Sequence, residues 1–411
     1  MPLKFVFGPS GSGKSTYLYQ HVIEESEKYP LKNFIVLVPE QFTMQTQKDL
    51  VSMHPRHGIM NIDVLSFARL AYRVFEETGT KQMQVLDDEG KNLILRKIAG
   101  DYENKLTVLK GNIKKLGYIS EVKSVISEFT QYDIGEEEID EMLDHLDEDS
   151  RLYYKLKDIR LLYEGFQDYL RERYITKEEL LDVLNSQVKE SELLKNSVVV
   201  LDGFTGFTPV QNRLILELMR CCKEVWVTVT MDERENPYAY KHPYQLFGLS
   251  KQMVTTLVRM AGEDHIEVEE PVCLYGYPVK RFEKNQELAF LERNIFRYGS
   301  GRYDKAVENL EIHAAGNPRQ EADAVAEGIR RLVRKEQYRY RDIGVIVSDM
   351  NVYGDYLEQA FENYGIPVFM DHKRSILLNS FVEYIRSLLN MAEKNFSYES
   401  VFRFLRTNLA G

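Results

Sequence analysis

Eight consecutive residues near the N-terminus have the types and spacing of a phosphate-binding loop. They fit the pattern G-x-x-x-x-G-K-[ST] without a gap. Glycines there let backbone N–H groups converge on phosphate oxygens, and the positive end of the following helix adds attraction. The lysine can reach the β- and γ-phosphates, and the last serine can ligate Mg²⁺. The segment predicts a site for ATP and Mg²⁺; the alternative is a glycine-rich turn that binds nothing. The eight residues are Gly8, Pro9, Ser10, Gly11, Ser12, Gly13, Lys14 and Ser15.

An acidic residue after a later apolar run would complete such a site. Residues 197–201 read SVVVL and are followed by Asp202, which can hold Mg²⁺ through water. The alternative is an ordinary turn aspartate. Many ATPases carry a glutamate at the next position to orient the attacking water, but this chain has Gly203. We therefore expect nucleotide binding with little or no hydrolysis, and predict no catalytic residue.

Two polar segments follow the second and third predicted strands and form a candidate nucleic-acid surface. In superfamily 1 helicase motors, loops at these places contact single-stranded DNA. The wide separation of Lys14 and Asp202 suits such a core with a domain inserted between the two motifs. In the first segment, Gln41 can hydrogen-bond a base edge and Thr43 a phosphate or a base.

The second segment combines cations with an aromatic ring on one helix face. Arg69, Tyr72 and Arg73 are spaced i, i+3 and i+4. That face suits phosphate contact together with base stacking. Phe67 is a further candidate for DNA contact, but it also lies on an apolar stripe with Leu70, which favours a position in the core.

The elements that must position these residues alternate between buried strands and helices. Strands are predicted at 3–7, 34–38, 62–65, 197–201 and 225–229, and residues 87–194 are helical in pattern. The predicted fold class is α/β, with a P-loop RecA-like parallel sheet of the superfamily 1 helicase type. Residues 1–86 and 195–302 would form the sheet domain, split by an inserted all-helical domain at 87–194.

A second α/β unit is predicted after residue 302. Asn317 followed by Pro318 is typical of a helix start. Predicted strands at 343–347 and 368–369, with a helix at 353–364 between them, indicate the first part of a second RecA-like domain over 303–375. Residues 376–411 would begin a further helical region, and the chain is expected to be a piece of a longer protein.

Composition narrows the class of protein. The net charge is −11, which argues against a generic basic DNA coat but leaves room for a local basic groove. The three cysteines have no C-x-x-C spacing, so neither a zinc site nor a disulfide framework is expected. No secretory signal or long apolar run is present, which predicts a cytoplasmic protein without membrane contact.

These segments together resemble the AddB-type subunit of the bacterial AddAB helicase–nuclease. The strings that carry the resemblance span most of the chain and stand in the order of the family. They are FVFGPSGSGKS, FIVLVPEQFTMQTQ, VLSFARLAYRVFEETG, VVLDGFTGFTPVQ and IGVIVSDMNVYGDYLEQAFENYGIPVFMDHKRSI.

The resemblance implies a helicase-like subunit that is no longer a working motor. Its partner would be an AddA-type subunit with the active motor, in a complex that processes double-strand breaks for recombination. In the family this region reads a short Chi-type sequence in single-stranded DNA. The matching positions are Gln41, Thr43, Phe67, Arg69, Tyr72 and, after Asp202, Phe204 or Phe207. Tyr72 stands where some relatives carry tryptophan, which leaves the recognised sequence open.

The resemblance also implies parts that this chain does not contain. Family members carry a C-terminal nuclease domain with an iron–sulfur cluster on four cysteines, and that cluster is expected only outside these residues. The late helicase motifs that complete an ATP site are missing as well. Two rival hypotheses remain: a free-standing P-loop NTPase or kinase, and a scaffold with a vestigial nucleotide site.

Overall fold

The computed structural model describes residues 2–79, 84–112, 115–170, 174–176, 178–299, 301–371 and 376–409. The chain divides between Asn309 and Leu310 into two compact units. None of the helices within the described ranges has the length and apolar character needed to cross a membrane.

The first unit is built on a parallel β-sheet. In chain order the strands are β1 Leu3–Gly8, β2 Asn33–Leu37, β3 Ile62–Leu65, β4 Gln84–Leu86, β5 Tyr174–Thr176, β6 Ser197–Leu201, β7 Glu224–Thr230 and β8 Val272–Cys273. Six of them pair in the order β3-β2-β6-β7-β1-β8, and each neighbouring pair is parallel. These six strands therefore end at the same edge of the sheet.

Helices cover both faces of this sheet, which is why the neighbouring strands β2 and β6 are apolar at every position after their first residue. In β2, Ile35 and Leu37 pack on one face and Phe34 and Val36 on the other, because successive side chains alternate. The helices of this unit are α1 Lys14–Lys28, α2 Thr43–Met53, α3 Phe67–Thr78, α4 Asp88–Asp101, α5 Leu116–Gln131, α6 Glu136–Asp144, α7 Arg151–Leu170, α8 Leu180–Gln187, α9 Glu192–Lys195, α10 Pro209–Cys221, α11 Gly248–Glu263 and α12 Gln286–Asn294.

The five strands predicted for the first unit are confirmed as β1, β2, β3, β6 and β7, within one residue at each end. The predicted α/β class with a largely parallel sheet is likewise confirmed. The short strand β8, which pairs with β1, was not predicted, because two residues carry no readable pattern.

Helices α4 to α7 enclose a hydrophobic core of their own, separate from the cores on the sheet. On α7 the carboxylate of Asp158, which is 2 % exposed, accepts hydrogen bonds from the backbone N–H groups of Thr107, Val108 and Leu109. The segment is not purely helical as predicted, because β4 and β5 form a two-stranded parallel sheet. Helix α8 packs in the core of the large sheet instead.

The second unit consists of two packed helix pairs. Helices α13 and α14 share a small apolar core that includes Ala326, Ile329 and Phe361, and α15 packs on α16. Asn317 caps α13 through its side chain and Pro318 occupies the first turn, as predicted. The helices are α13 Pro318–Lys335, α14 Met350–Asn363, α15 Ser380–Glu393 and α16 Tyr398–Leu405.

The strands predicted in this unit are wrong for the described structure. Residues 343–347 and 368–369 form no strand, and Ile346 and Phe369 are 100 % and 89 % exposed. Both segments line an apolar cleft of about 900 Å³. A strand exists only through hydrogen bonds to a neighbouring strand, and neither of these apolar segments has such a neighbour within residues 310–371 and 376–409.

Candidate functional site

The glycine-rich loop connects the end of β1 to the start of α1. Gly11 and Gly13 have φ angles of 82° and 93°, a left-handed region that suits glycine. Gly13 is the N-cap of α1, so the positive end of a 15-residue helix faces the loop. The hydroxyl of Ser12 is buried and has no hydrogen-bond partner within the described ranges. The loop thus presents unused polar groups that an anion could satisfy.

The ammonium group of Lys14 lies within this loop. Its Nζ donates to the carbonyl oxygens of Gly8 at 2.9 Å and Pro9 at 3.0 Å. Burial, opposed by the charge of Asp202 and reinforced by that of Arg281, lowers the pKa of Lys14 to about 8. A phosphate in the loop would offer this cation a stronger partner than two carbonyls.

Asp202 directly follows β6, and its carboxylate accepts hydrogen bonds from three hydroxyl groups. Ser15 Oγ donates to Oδ1 at 3.1 Å, Tyr19 Oη to Oδ2 at 2.7 Å, and Thr228 Oγ1 to Oδ1 at 2.6 Å. Ser15 and Tyr19 are one turn apart on α1, so they share a helix face. Burial and the adjacent Asp202 carboxylate raise the pKa of Tyr19. These hydrogen bonds hold Asp202, which is 5 % exposed, beside the glycine-rich loop between β1 and α1.

The backbone around Asp202 is also tied to neighbouring strands. Its N–H donates to the carbonyl oxygen of Leu37 on β2 at 2.9 Å. Gly203 has a φ of 79°, and its N–H donates to Thr228 Oγ1 at 3.3 Å. The oxygens of Ser15, Asp202 and Thr228 are hard donors of the kind that Mg²⁺ prefers. The donor set therefore fits the metal.

Two basic residues that the sequence reasoning missed complete the cleft. Lys280 and Arg281 lie in the turn after β8 and line a cleft of about 470 Å³ together with Lys14, Ser15 and Asp202. The backbone N–H of Arg281 donates to the carbonyl oxygen of Gly11 at 3.0 Å. A Cβ at position 11 would lie 2.8 Å from Cβ of Arg281, so glycine is required there by space as well as by φ.

The loop after β2 carries the first pair of residues predicted to bind DNA. Gln41 is exposed. Thr43 is 4 % exposed, and its hydroxyl donates to the carbonyl oxygen of Glu40 at 3.0 Å, at the start of α2. Between them Phe42 is 48 % exposed, although the sequence did not single it out. Gln41 and Phe42 are therefore the accessible groups of this loop.

Helix α3 carries the second predicted group. Ser66 caps the helix by accepting a hydrogen bond from the N–H of Arg69. Arg69, Tyr72 and Arg73 are all exposed, and the exposed fraction of Tyr72 is 41 %, so the predicted shared face is open to solvent. Phe67 is 7 % exposed and belongs to the hydrophobic core on the face of the sheet that also buries Ile35 and Leu37.

Phe67 nevertheless connects to the residues after Asp202. The ring centroids of Phe67 and Phe204 are 5.4 Å apart, those of Phe204 and Phe207 are 5.2 Å apart, and those of Phe67 and Phe207 are 6.4 Å apart. Phe204 also lines the cleft that contains Lys14. The three rings therefore link α3 with the loop that starts at Asp202.

A metal centre of another kind would need several His, Cys, Asp or Glu side chains close together. No group of three or more such residues that could hold a metal ion occurs in the described part of the chain. Cys221, Cys222 and Cys273 are free thiols, and burial raises the pKa of each.

The fold and the site define an α/β protein whose first strand leads through a glycine-rich loop into a helix at the carboxyl edge of a parallel sheet. Residues 5–292 match the family described as ADDB, N-terminal. The chain belongs to this AddB family.

Three relatives, each named as an ATP-dependent helicase/deoxyribonuclease subunit of the B type, are similar over the whole chain. The protein of Lachnoclostridium phytofermentans is 45 % identical, that of Caldanaerobacter subterraneus 36 % and that of Clostridium kluyveri 35 %. Each match covers 100 % of this chain but only 35–36 % of the relative. The chain thus spans about a third of the length of these relatives.

Proposed function

We propose that this chain is an ATP-binding, single-stranded-DNA-binding region of an AddB-type helicase–nuclease subunit. The observation that carries the proposal is the meeting of Ser15, Tyr19 and Thr228 on Asp202 beside the glycine-rich loop. Such a pairing of loop and acidic strand end is what a P-loop nucleotide site requires. It supports a RecA-like core of the superfamily 1 helicase type.

The residues around the loop have distinct tasks in this proposal. Main-chain N–H groups of Gly13, Lys14 and Ser15, at the start of α1, bind phosphate oxygens, and Lys14 and Arg281 supply positive charge at the same place. Ser15 and Asp202 would hold Mg²⁺, which neutralises charge on the phosphates when it is bound. Tyr19 and Thr228 orient Asp202 through hydrogen bonds and so preset the site.

The same cleft argues for weak hydrolysis. Asp202 is the only carboxylate that lines the cleft within the described residues. Gly203 has no side chain with which to orient an attacking water. We therefore infer that nucleotide acts as a bound ligand of this chain rather than as a substrate that it turns over quickly.

A DNA strand would cross the carboxyl edge of the sheet beside the nucleotide. Loops after β2, β3 and β6 all emerge at this edge, because these strands are parallel neighbours. Gln41, Arg69 and Tyr72 supply accessible polar, cationic and aromatic groups there. Phe67, Phe204 and Phe207 form the aromatic base behind them. We infer that this face reads a Chi-type sequence.

The names of the relatives support the wider assignment. A B-type member of an ATP-dependent helicase/deoxyribonuclease implies at least one other subunit, and an AddA-type helicase–nuclease is the proposed partner. The proposed process is double-strand break repair by homologous recombination in the cytoplasm. The inserted helical domain at 87–194 and a second RecA-like domain beginning at 303 belong to the same proposal.

Thermal unfolding of this chain tests the nucleotide claim directly. Mg²⁺–ATP should raise the melting temperature of the unaltered protein, whereas in Lys14→Ala it should cause no rise above that variant's own melting temperature without nucleotide. An equal rise in the melting temperature of both proteins would contradict the assignment of the nucleotide site to the glycine-rich loop. Steady ATP turnover without DNA or partner would instead favour a free-standing NTPase.

A salt titration of single-stranded DNA binding tests the second claim. We expect binding at low salt that weakens as salt rises, and a loss of affinity in Arg69→Ala. Glu76 lies on the same helix and is exposed, so Glu76→Ala is a matched control. No binding at low salt would overturn the proposed DNA contact.

A further inference from the structure

A basic surface stands out at the end of α13 in the second unit. Residues 330–342 contain six Lys or Arg residues and two acidic ones, whereas the chain as a whole carries a net charge of −11. We call these thirteen residues the basic fold-back. Its cations are Arg330, Arg331, Arg334, Lys335, Arg339 and Arg341.

After α13 the chain reverses direction, and the returning segment is hydrogen-bonded to the end of that helix. Helix α13 ends at Lys335, and Gln337 has a φ of 60°, which turns the chain back. The N–H of Tyr338 donates to the carbonyl oxygen of Leu332 at 3.4 Å. Arg330 Nη1 also donates to the hydroxyl oxygen of Tyr340 at 3.3 Å. Cations from the last helical turn and from the return segment are thereby held in one compact structure.

Four of these cations have no anionic partner within the described residues, and three of the four are exposed. Arg331 pairs with Glu311 at 3.3 Å, and Arg339 pairs with Asp342 at 2.7 Å. Arg334, Lys335 and Arg341 are exposed and have no such pair in the parts of the chain that the structure describes. Elsewhere in the chain exposed arginines such as Arg259 pair with carboxylates.

Stabilisation of the helix explains only part of this surface. Cations in the last turn of a helix interact favourably with its negative end, which accounts for Arg334 and Lys335. It does not account for Arg341, which follows the chain reversal, nor for Tyr338, which is 49 % exposed beside the cations. Exposed cations interleaved with an open aromatic ring suit a phosphodiester backbone with bases near it.

We propose that the basic fold-back binds the phosphate backbone of DNA, as a second contact besides the surface formed by Gln41, Arg69 and Tyr72, here called the sheet-edge face. This inference shares with the proposed function the premise that the protein binds DNA, but it rests on different residues in the other unit. The ligand chemistry is that of phosphodiesters, which single strands and duplexes have in common. Binding assays with separate single-stranded and duplex DNA probes therefore show which form of DNA the basic fold-back binds.

Charge removal in the full-length protein, together with any subunit that copurifies with it, tests the proposal. We expect the triple variant Arg334→Gln, Lys335→Gln, Arg341→Gln to reduce the slope of log affinity against log salt by about 3 for the preferred DNA form. The matched control removes three surface cations elsewhere: Lys195→Gln, Arg259→Gln and Arg319→Gln. Arg319 lies on α13 as well, but about 22 Å from Arg334 along the helix axis.

A photo-crosslinking residue gives a second, independent measurement. Placed at Tyr338 it should crosslink to bound DNA, whereas at Tyr356, which is 41 % exposed on α14, it should not. An unchanged salt slope without crosslinking at 338 would overturn the inference, even if Arg69→Ala still weakens DNA binding. Loss of a protein partner with an unchanged slope would also overturn it, in favour of protein docking. Failure of the unaltered protein to bind any DNA would end both proposals.

Discussion

The hydroxyl group of Tyr19 donates a 2.7 Å hydrogen bond to Oδ2 of Asp202, across 183 residues of sequence. Ser15, one helical turn earlier, donates to the other oxygen of the same carboxylate at 3.1 Å. Helix α1 therefore fixes the acidic end of β6 with two side chains from one face. The position of Asp202 relative to the loop is set before any ligand arrives, which is the preorganisation that a nucleotide site needs.

Replacing Tyr19 by Phe tests whether this hydrogen bond stabilises the fold. The change removes a donor to a buried carboxylate, so we expect the free energy of unfolding to fall by about 1.5–3 kcal/mol. We also expect weaker binding of Mg²⁺–ATP, because Asp202 loses an orienting partner. Denaturant unfolding and a nucleotide titration measure the two effects. Tyr17→Phe, on the same helix, should leave both nearly unchanged; equal effects at both positions would contradict the role given to Tyr19.

The affinity for nucleotide should fall as pH rises above 8. Burial lowers the pKa of Lys14 to about 8, and only the protonated amine attracts phosphate. At pH 9 about a tenth of the free protein would carry the charge, so the affinity for ATP should drop by about tenfold relative to pH 7. Equilibrium titrations at constant ionic strength measure this. Lys14→Arg keeps its charge and should show little change over the same range.

The lowered pKa of Lys14 also makes the free energy of unfolding depend on pH. Between pH 8 and the ordinary lysine pKa of 10.5, the unfolded chain binds more protons than the folded protein. The destabilisation caused by burying Lys14 is therefore fully present below pH 8 and declines as pH rises through that interval. A flat nucleotide affinity from pH 7 to pH 9 would contradict either the lowered pKa of Lys14 or its role as the phosphate ligand, and the Lys14→Ala titration decides between the two.

Arg281 should contribute to the binding of the phosphates rather than of the base. It lines the cleft with Lys14, and its backbone is hydrogen-bonded to Gly11. Charge-assisted hydrogen bonds contribute about 1.5–3 kcal/mol, so Arg281→Gln should weaken ATP binding by about 10- to 100-fold. Adenosine, which has no phosphate, should bind equally to both proteins if it binds at all. An equal loss for both ligands would indicate a structural role instead.

The first strand, loop and helix could be predicted because their signals lie within a few residues of one another. An apolar run, three glycines and an amphipathic helix form one local pattern, and the structure has them as β1, the loop and α1. The approach of Lys280 and Arg281 could not be predicted. These residues follow a two-residue strand far along the chain, and only the pairing of β8 with β1 brings them to the loop.

Side-chain accessibility was the least predictable property of the candidate site. The spacing of Arg69, Tyr72 and Arg73 predicted a common face, and that face is open to solvent. Phe67 fits both the DNA-contact and the core interpretation by spacing alone, and packing against Phe204 decides for a buried ring. The DNA-binding roles of these residues stay predictions.

Tyr72 should carry a large part of any base stacking on the sheet-edge face. Its ring is 41 % exposed on α3, beside Arg69. Stacking of a base on an aromatic ring contributes about 1–3 kcal/mol, so Tyr72→Ala should weaken single-stranded DNA binding by about 5- to 150-fold. Fluorescence anisotropy with a labelled oligonucleotide measures the affinity. Tyr132→Ala, at a 58 % exposed tyrosine of the helical region, is the control; a similar loss there would argue against a specific stacking position.

Asp158 should stabilise the helical region without touching the nucleotide site. Its buried carboxylate accepts hydrogen bonds from the backbone N–H groups of Thr107, Val108 and Leu109, at 2.8 to 2.9 Å. Asp158→Ala would remove the acceptor of three backbone N–H groups, of which that of Leu109 is buried, at a cost of about 3 kcal/mol. Because this core is separate from those on the sheet, hydrogen exchange should rise in α4 to α7 while Mg²⁺–ATP still protects the loop at Gly8–Ser15. Asp144→Ala, at an exposed position on α6, should change neither region. Loss of nucleotide binding together with the helical core would instead mean that the two regions unfold as one.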